Sequence, residues 1–260
     1  MNKTLNFFKR NIKEVLRDPM IYIFCLGFPI VMMVIFQVIN GASEGNTPIF
    51  EMASLLPGII MFSYTFVMLT MALLVSKDRQ TFFLKRLYSS PMKPVHFILG
   101  YFLVGFIVAF AQTIICIVIG LFIALTTKVD FINFGQVLLL ILSQLPILVT
   151  NVFLGILFGT LFNDKTAPGI CSIFISLSGM LGGCWMPVDT MGGLEVFCMC
   201  LPFYPSVCIG RVVTNAPKTL GGEYILDKAV ALGLIPLVVF MLVSVILSIV
   251  IFKKNMVSDK

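Results

Sequence analysis

Six long apolar runs, none carrying an acidic residue, a lysine or an arginine in its interior, decide what this chain can fold into. They cover about Met20–Ile39, Ala53–Val75, Val95–Leu125, Phe134–Phe162, Ala167–Met186 and Ala229–Phe252. A helix crosses the hydrocarbon core with ~20 such residues. Strands of a membrane barrel alternate apolar and polar residues, and these runs do not. The expected fold is therefore all-α: one polytopic membrane domain over residues 1–260 with six transmembrane helices. The third and fourth runs exceed the need and are expected to tilt or project.

Composition agrees. Charged residues make up 12% of the chain and apolar ones 59%, whereas soluble domains carry about a quarter charged residues. The net charge of +6 could signal nucleic acid, but the cations stand in short clusters between neutral runs. That is a membrane pattern, and no nucleic-acid partner is expected. With the N-terminus in the cytoplasm, only Lys128, Arg211, Lys218 and Lys228 of the eighteen Lys and Arg fall on the far side. The positive-inside rule thus puts both termini in the cytoplasm. The first run is too long for the apolar part of a secretory signal and is read as an uncleaved span.

Three segments outside the runs have a shape of their own. In residues 1–19, Leu5, Phe8, Ile12 and Val15 recur at helical spacing, with Lys9, Arg10, Lys13 and Arg17 on other faces. This is an amphipathic helix expected to lie on anionic lipid. Asp18 and Pro19 then supply a cap and a first-turn proline for the first span. Residues 76–94 hold a helical turn or two between Arg79 and Tyr88, closed by Pro91 and Pro94. Its Phe82, Phe83 and Leu87 are either covered by a partner or dip into lipid or under the bundle. In residues 187–228 the apolar stretch Val196–Leu201 is too short to span, and Pro202 and Pro205 break it. Such a segment is expected to re-enter between spans five and six and cap the bundle on its outer side.

Chemistry-bearing motifs are missing from the sequence. There is no Gly-x-x-x-x-Gly-Lys-Ser/Thr loop for nucleotide phosphates and no Gly-x-Ser-x-Gly or His-Glu-x-x-His pattern, so the chain is not read as an enzyme. A single histidine, His96, cannot build a zinc site and is read as interfacial. The seven cysteines are mostly small buried hydrophobes, with one disulfide among Cys198, Cys200 and Cys208 left open. Gradient-driven pumps keep ionisable groups inside their spans; here the spans offer Gln37, Gln112, Gln144 and Asn151, read as helix-to-helix hydrogen bonders. Gly155-x-x-x-Gly159 and Gly179-x-x-x-Gly183 allow close packing within the chain or between copies. Pro29, Pro57, Pro146 and Pro236 mark candidate bends.

Read in order, the chain resembles the permease subunit of a type-2 ABC exporter over nearly its whole length. The resemblance runs through Leu16-Arg17-Asp18-Pro19, Phe28-Pro29, Leu56-Pro57-Gly58, Arg79, Thr81, Leu84-Lys85-Arg86-Leu87, Ser90-Pro91 and Gly100. It ends on Gly183-Cys184-Trp185-Met186-Pro187 and Leu201-Pro202-Phe203-Tyr204-Pro205. Relatives often carry Glu at the position of Asp78 and Gly at that of Gln80.

The resemblance implies that the segment from Asp78 to Pro91 is a coupling helix docking on a separate ABC ATPase. Phe83 and Leu87 are its anchor, Lys85 and Arg86 its rim, and Asp78, Arg79, Ser90 and Pro91 complete the contact. Phe8, Ile12, Arg17, Asp18 and Pro19 brace that partner from the membrane surface, and Trp185, Pro187, Pro202 and Pro205 belong to the outer cap. It also implies two permeases, identical or related, with two ATPases that bind ATP and Mg, no cofactor in this chain, and a bacterial plasma membrane. The Phe-, Ile- and Leu-rich spans favour an amphipathic or hydrophobic cargo: a drug, an antimicrobial or a lipid-like compound. Polysaccharide or lipid-linked glycan export, a gradient-driven transporter or channel, and a non-transporting scaffold are the alternatives.

Overall fold

The computed structural model describes residues 2–42, 47–80, 94–127, 132–219 and 221–258. The described residues form an all-α bundle. An amphipathic helix α1 (Asn2–Val15) precedes α2 (Tyr22–Ala42), α3 (Met52–Gln80), α4 (Pro94–Thr127) and α5 (Phe134–Leu161). After them come the short α6 (Ala167–Leu181), the bent pair α7 (Gly193–Met199) and α8 (Phe203–Val213), and α9 (Lys228–Ser258).

Helix α3 is the hub, buried along most of its length. Phe28 of α2 meets Phe62 and Phe66; Tyr101 and Gly120 of α4 meet Asp78 and Leu56 at its two ends. On α5, Gly155 and Gly159 let the backbones touch: a Cβ there would stand 2.5 Å from Met68 O and from Ala72 O. A side chain cannot fit at such a distance, so this glycine pair serves packing within the chain. Gly179 of α6 instead makes room for side chains, lying under Trp185 and Phe62.

Among the described residues five helices are long and apolar enough to cross a membrane, or six if the bent pair α7–α8 counts as one span, and α6 is a shorter apolar helix. The fifth apolar run, Ala167–Met186, is helical only from Ala167 to Leu181 and so is shorter than expected. The helix stops at Leu181 because Gly182 and Gly183 follow, Gly183 at φ +64°, a left-handed conformation glycine adopts without penalty. Its 15 residues rise about 22 Å, short of a ~30 Å core. It still runs antiparallel to α3, from Cys171 beside Met68 and Ala72 to Gly182 beside Met61. Successive long helices thus alternate in direction, and α1 and the end of α9 lie at one end of the bundle. At that end Asn255 and Arg79 both donate to Thr160 O.

Two prolines explain two interhelical hydrogen bonds. Proline has no N–H for the carbonyl four residues earlier. Pro29 leaves Cys25 O without its α-helical donor, within a π-helical stretch at Tyr22–Gly27, and Gln112 Nε2 of α4 takes it. Pro57 likewise leaves Ala53 O, and Thr214 Oγ1 donates to it at 2.6 Å. Gln112 therefore links helices, as its sequence context predicts, and Gln144 does so through a reciprocal pair with Ser206 (Nε2 to the carbonyl and Oγ to Oε1, both 3.0 Å).

Candidate coupling end, cap and groove

At the α1 end one apolar and one polar joint hold α1 to the bundle. Phe7 is buried edge-on against Phe97 and Tyr101, with ring centroids 5.4 and 5.0 Å apart, and fills the space Gly100 leaves; a Cβ at Gly100 would run into its ring. One and two turns further on, Asn11 and Val15 are also buried. The most deeply buried face is therefore Phe7–Asn11–Val15, which keeps Val15 of the expected stripe and adds Phe7 and Asn11 beside it. Leu5 is exposed, while Phe8 and Ile12 are half-buried against the core. The bundle takes this face because α4 offers a glycine slot, which a free surface helix would not have.

The polar joint centres on Asp78, 1% exposed. Arg10 grips it with a two-pronged fork, Nη1 to Oδ2 at 2.8 Å and Nη2 to Oδ1 at 2.6 Å, the strongest geometry available to that pair. Tyr101 OH donates to Oδ2 at 2.7 Å. Three donors compensate a carboxylate that burial would otherwise penalise. Glu14 adds ion pairs to Arg10 at 2.9 Å and to Lys77 at 3.1 Å. Thr4 Oγ1 meets His96 Nδ1 at 3.1 Å, so His96 sits in the α1–α4 joint. The ends of α3 and α4 that flank residues 81–93 are thus bolted to one helix.

Of the residues expected at an ATPase contact, Asp78 and Arg79 are described, and both bond to this chain's own helices. Phe83, Lys85, Arg86, Leu87, Ser90 and Pro91 lie outside the described residues. At the elbow Arg17, Asp18 and Pro19 are exposed. Asp18 O accepts the N–H of Ile21 at 3.2 Å, and Tyr22 OH donates to Leu16 O at 2.8 Å, so the turn into α2 is closed on itself.

At the other end α7 and α8 meet at 92°, with Pro202 buried at the bend and Pro205 buried against α9. Arg211 of α8 is 2% exposed. Its Nε donates to Ser54 O at 3.1 Å and its Nη2 to Gly183 O at 2.7 Å, with Tyr224 OH at 3.3 Å. The guanidinium also lies 5.4 Å from the Tyr224 ring centroid, within cation–π range. Sequence reasoning placed Arg211 merely in a far-side loop; its signal was a lone cation inside the otherwise neutral Phe203–Val213. Trp185 lies edge-on to Phe62 at 4.7 Å and stacks on Phe36 at 6.1 Å, tying the α6–α7 link to α2 and α3. Pro187 is half-buried ahead of the turn Val188–Thr190. Cys198, Cys200 and Cys208 are free thiols.

Between α2, α3 and α6 a cavity of about 530 Å³ opens, lined by apolar side chains such as Phe24, Phe66 and Ile175, with Thr70, Ser172 and Ser176 as its neutral polar groups. It can accept an apolar body with a few hydrogen-bonding points, the usual make-up of a small-molecule site. No curated protein matches the chain. The family model described as ABC-2 type transporter matches residues 3–214, from α1 through α8, and this protein is a membrane permease of that family.

Proposed function

We propose that the chain forms half of an export path for an amphipathic or hydrophobic compound and is driven by a separate ABC ATPase docked on the segment from Asp78 to Pro91. Two permeases, identical or related, pair with two ATPases at the cytoplasmic face of a plasma membrane. The observation that carries this reading is the joint at Asp78. It binds the end of α3 to α1 and α4, on both sides of the coupling segment, so a push on that segment moves three helices as one body. The α2–α3–α6 cavity supports an apolar cargo. The apolar runs carry no Asp, Glu, Lys or Arg, and His96 at the mouth of one is engaged by Thr4, which disfavours the ion coupling that gradient-driven pumps use.

The test is co-expression with a candidate ATPase, purification in mild detergent and native mass spectrometry, comparing the native chain with Phe83→Ala/Leu87→Ala. Two-to-two complexes lost in the double variant support the reading. A well-folded permease that recovers no ATPase from its own cells overturns it and favours gradient-driven transport.

A further inference from the structure

A second chamber adjoins the groove. Lying between α1 and the end of α3, it measures about 860 Å³ and is walled by Lys9, Arg10, Lys13, Arg17 and Lys77 against two acids, Glu14 and Asp18. Arg10 and Lys77 are engaged by Asp78 and Glu14; Lys9, Lys13 and Arg17 are exposed and lie outside those pairs. The chamber is therefore an anion-attracting space at the edge of the apolar bundle. It shares Glu14, Asp18 and Lys77 with the α2–α3–α6 groove, so the two spaces adjoin across these side chains, the first richer in cations and the second mostly apolar. Along α3 the groove runs from Lys77 to Phe66, a rise of about 16 Å. Half of a ~30 Å hydrocarbon core is about 15 Å, the depth of one leaflet.

We infer that chamber and groove together hold one anionic phospholipid of the surrounding leaflet, its phosphate against Lys9, Lys13 and Arg17 and its acyl chains along α3. Charge complementarity selects the headgroup, since cationic clusters at a membrane surface attract anionic lipids, and the leaflet-deep apolar groove selects a molecule with tails. The inference rests on the membrane placement of the bundle and on the groove assigned to the cargo path, but not on ATP-driven export. A cargo entering that groove displaces the lipid or shares its chemistry.

The full-length chain in mild detergent is titrated with phosphatidylglycerol or with phosphatidylcholine of identical acyl chains, and retained lipid is counted by native mass spectrometry. Phosphatidylglycerol is expected to be retained at least tenfold better. Lys9→Gln/Lys13→Gln/Arg17→Gln abolishes that preference, whereas Lys253→Gln/Lys254→Gln, equally exposed and at the same end, keeps it. Ser172→Phe, which fills the groove from α6, lowers retention of both lipids. Equal retention of the two lipids, or an undiminished preference in the triple variant, overturns the inference. Competition by sn-glycerol 3-phosphate at the lipid's own concentration also overturns it, because the site is then an anion site without tails. Since no ATPase is present, a negative result here leaves the co-purification test of export untouched.

Discussion

Replacing Arg211 by methionine removes the cation that holds α8 to α3 and α6 while keeping much of its bulk. Two bonds to backbone carbonyls are lost, at 3.1 Å to Ser54 O and 2.7 Å to Gly183 O. Hydrogen bonds involving a charged group contribute roughly 1.5–3 kcal/mol each. The low end applies, because methionine also relieves the desolvation of a buried guanidinium, giving about 3 kcal/mol for the pair. With about 1.4 kcal/mol per factor of ten, local opening of the cap becomes roughly 100-fold more populated. Cys208, one turn earlier in α8 and 1% exposed, is the reporter. Maleimide labelling read peptide by peptide should rise about 100-fold at Cys208 in Arg211→Met when reclosing outpaces labelling. The exposed Cys200 calibrates the reagent, and Cys116, buried in α4, reports global unfolding and should not change. Labelling of Cys208 within threefold of the native rate would refute the latch. An equal rise at Cys116 would mean that Arg211 holds the whole bundle, which also contradicts a local role.

Three further outcomes follow from the same contacts. Gly159→Val, forced against Ala72 O and Val75, should cost roughly 1–3 kcal/mol in thermal melts, while Gly135→Ala, with nothing within 4 Å, should be nearly neutral. Thr214→Val should cost about 1 kcal/mol in the native chain. It should cost less in Pro57→Ala, where a restored N–H serves Ala53 O; strictly additive melting shifts would break that account. Asp78→Ala should destabilise by roughly 2–3 kcal/mol, below the full value for a buried pair because Arg10 is partly exposed, and should speed protease cleavage at the elbow after α1. Adding Arg10→Ala should then cost little more, and independent effects of the two substitutions would argue against the joint.

The spans were legible because twenty-residue neutral runs have few other uses, and the cap because Pro202 and Pro205 interrupt a run already too short to cross. Gln112 and Gln144 were legible as helix linkers, since an amide inside an apolar run needs a partner. What they bind was not, although the carbonyl of Cys25 that Gln112 meets lies four residues before Pro29 and can be counted in advance, as can that of Ala53 before Pro57, which Thr214 meets. The face of α1 was legible only in part: Val15 lies on it, but periodicity alone cannot tell Phe7 from Phe8, and the choice is made by Gly100, ninety-three positions away. Arg211 escaped notice for the opposite reason. A charge count assigns it to a side of the membrane and says nothing about three acceptors gathered from three separate segments.

Among the described residues, Asp78 and Arg211 are the buried charged side chains, and each ties a peripheral helix to α3. Asp78 lies at one end of α3 and holds α1; Ser54, whose carbonyl receives Arg211, lies near the other and is tied to α8. The distance along the helix between these anchors is about 36 Å, more than the ~30 Å hydrocarbon core. The glycine contacts with α5, at Met68 and Ala72, stand between them and hold that stretch of α3 close to its neighbour. A displacement imposed at the Asp78 end is therefore met at the cap in one of two ways: α8 travels with α3, or the bonds of Arg211 break. Either response changes the cap without any ionisable group in the spans between. The joint at one end and the latch at the other are thus connected through a single helix, α3.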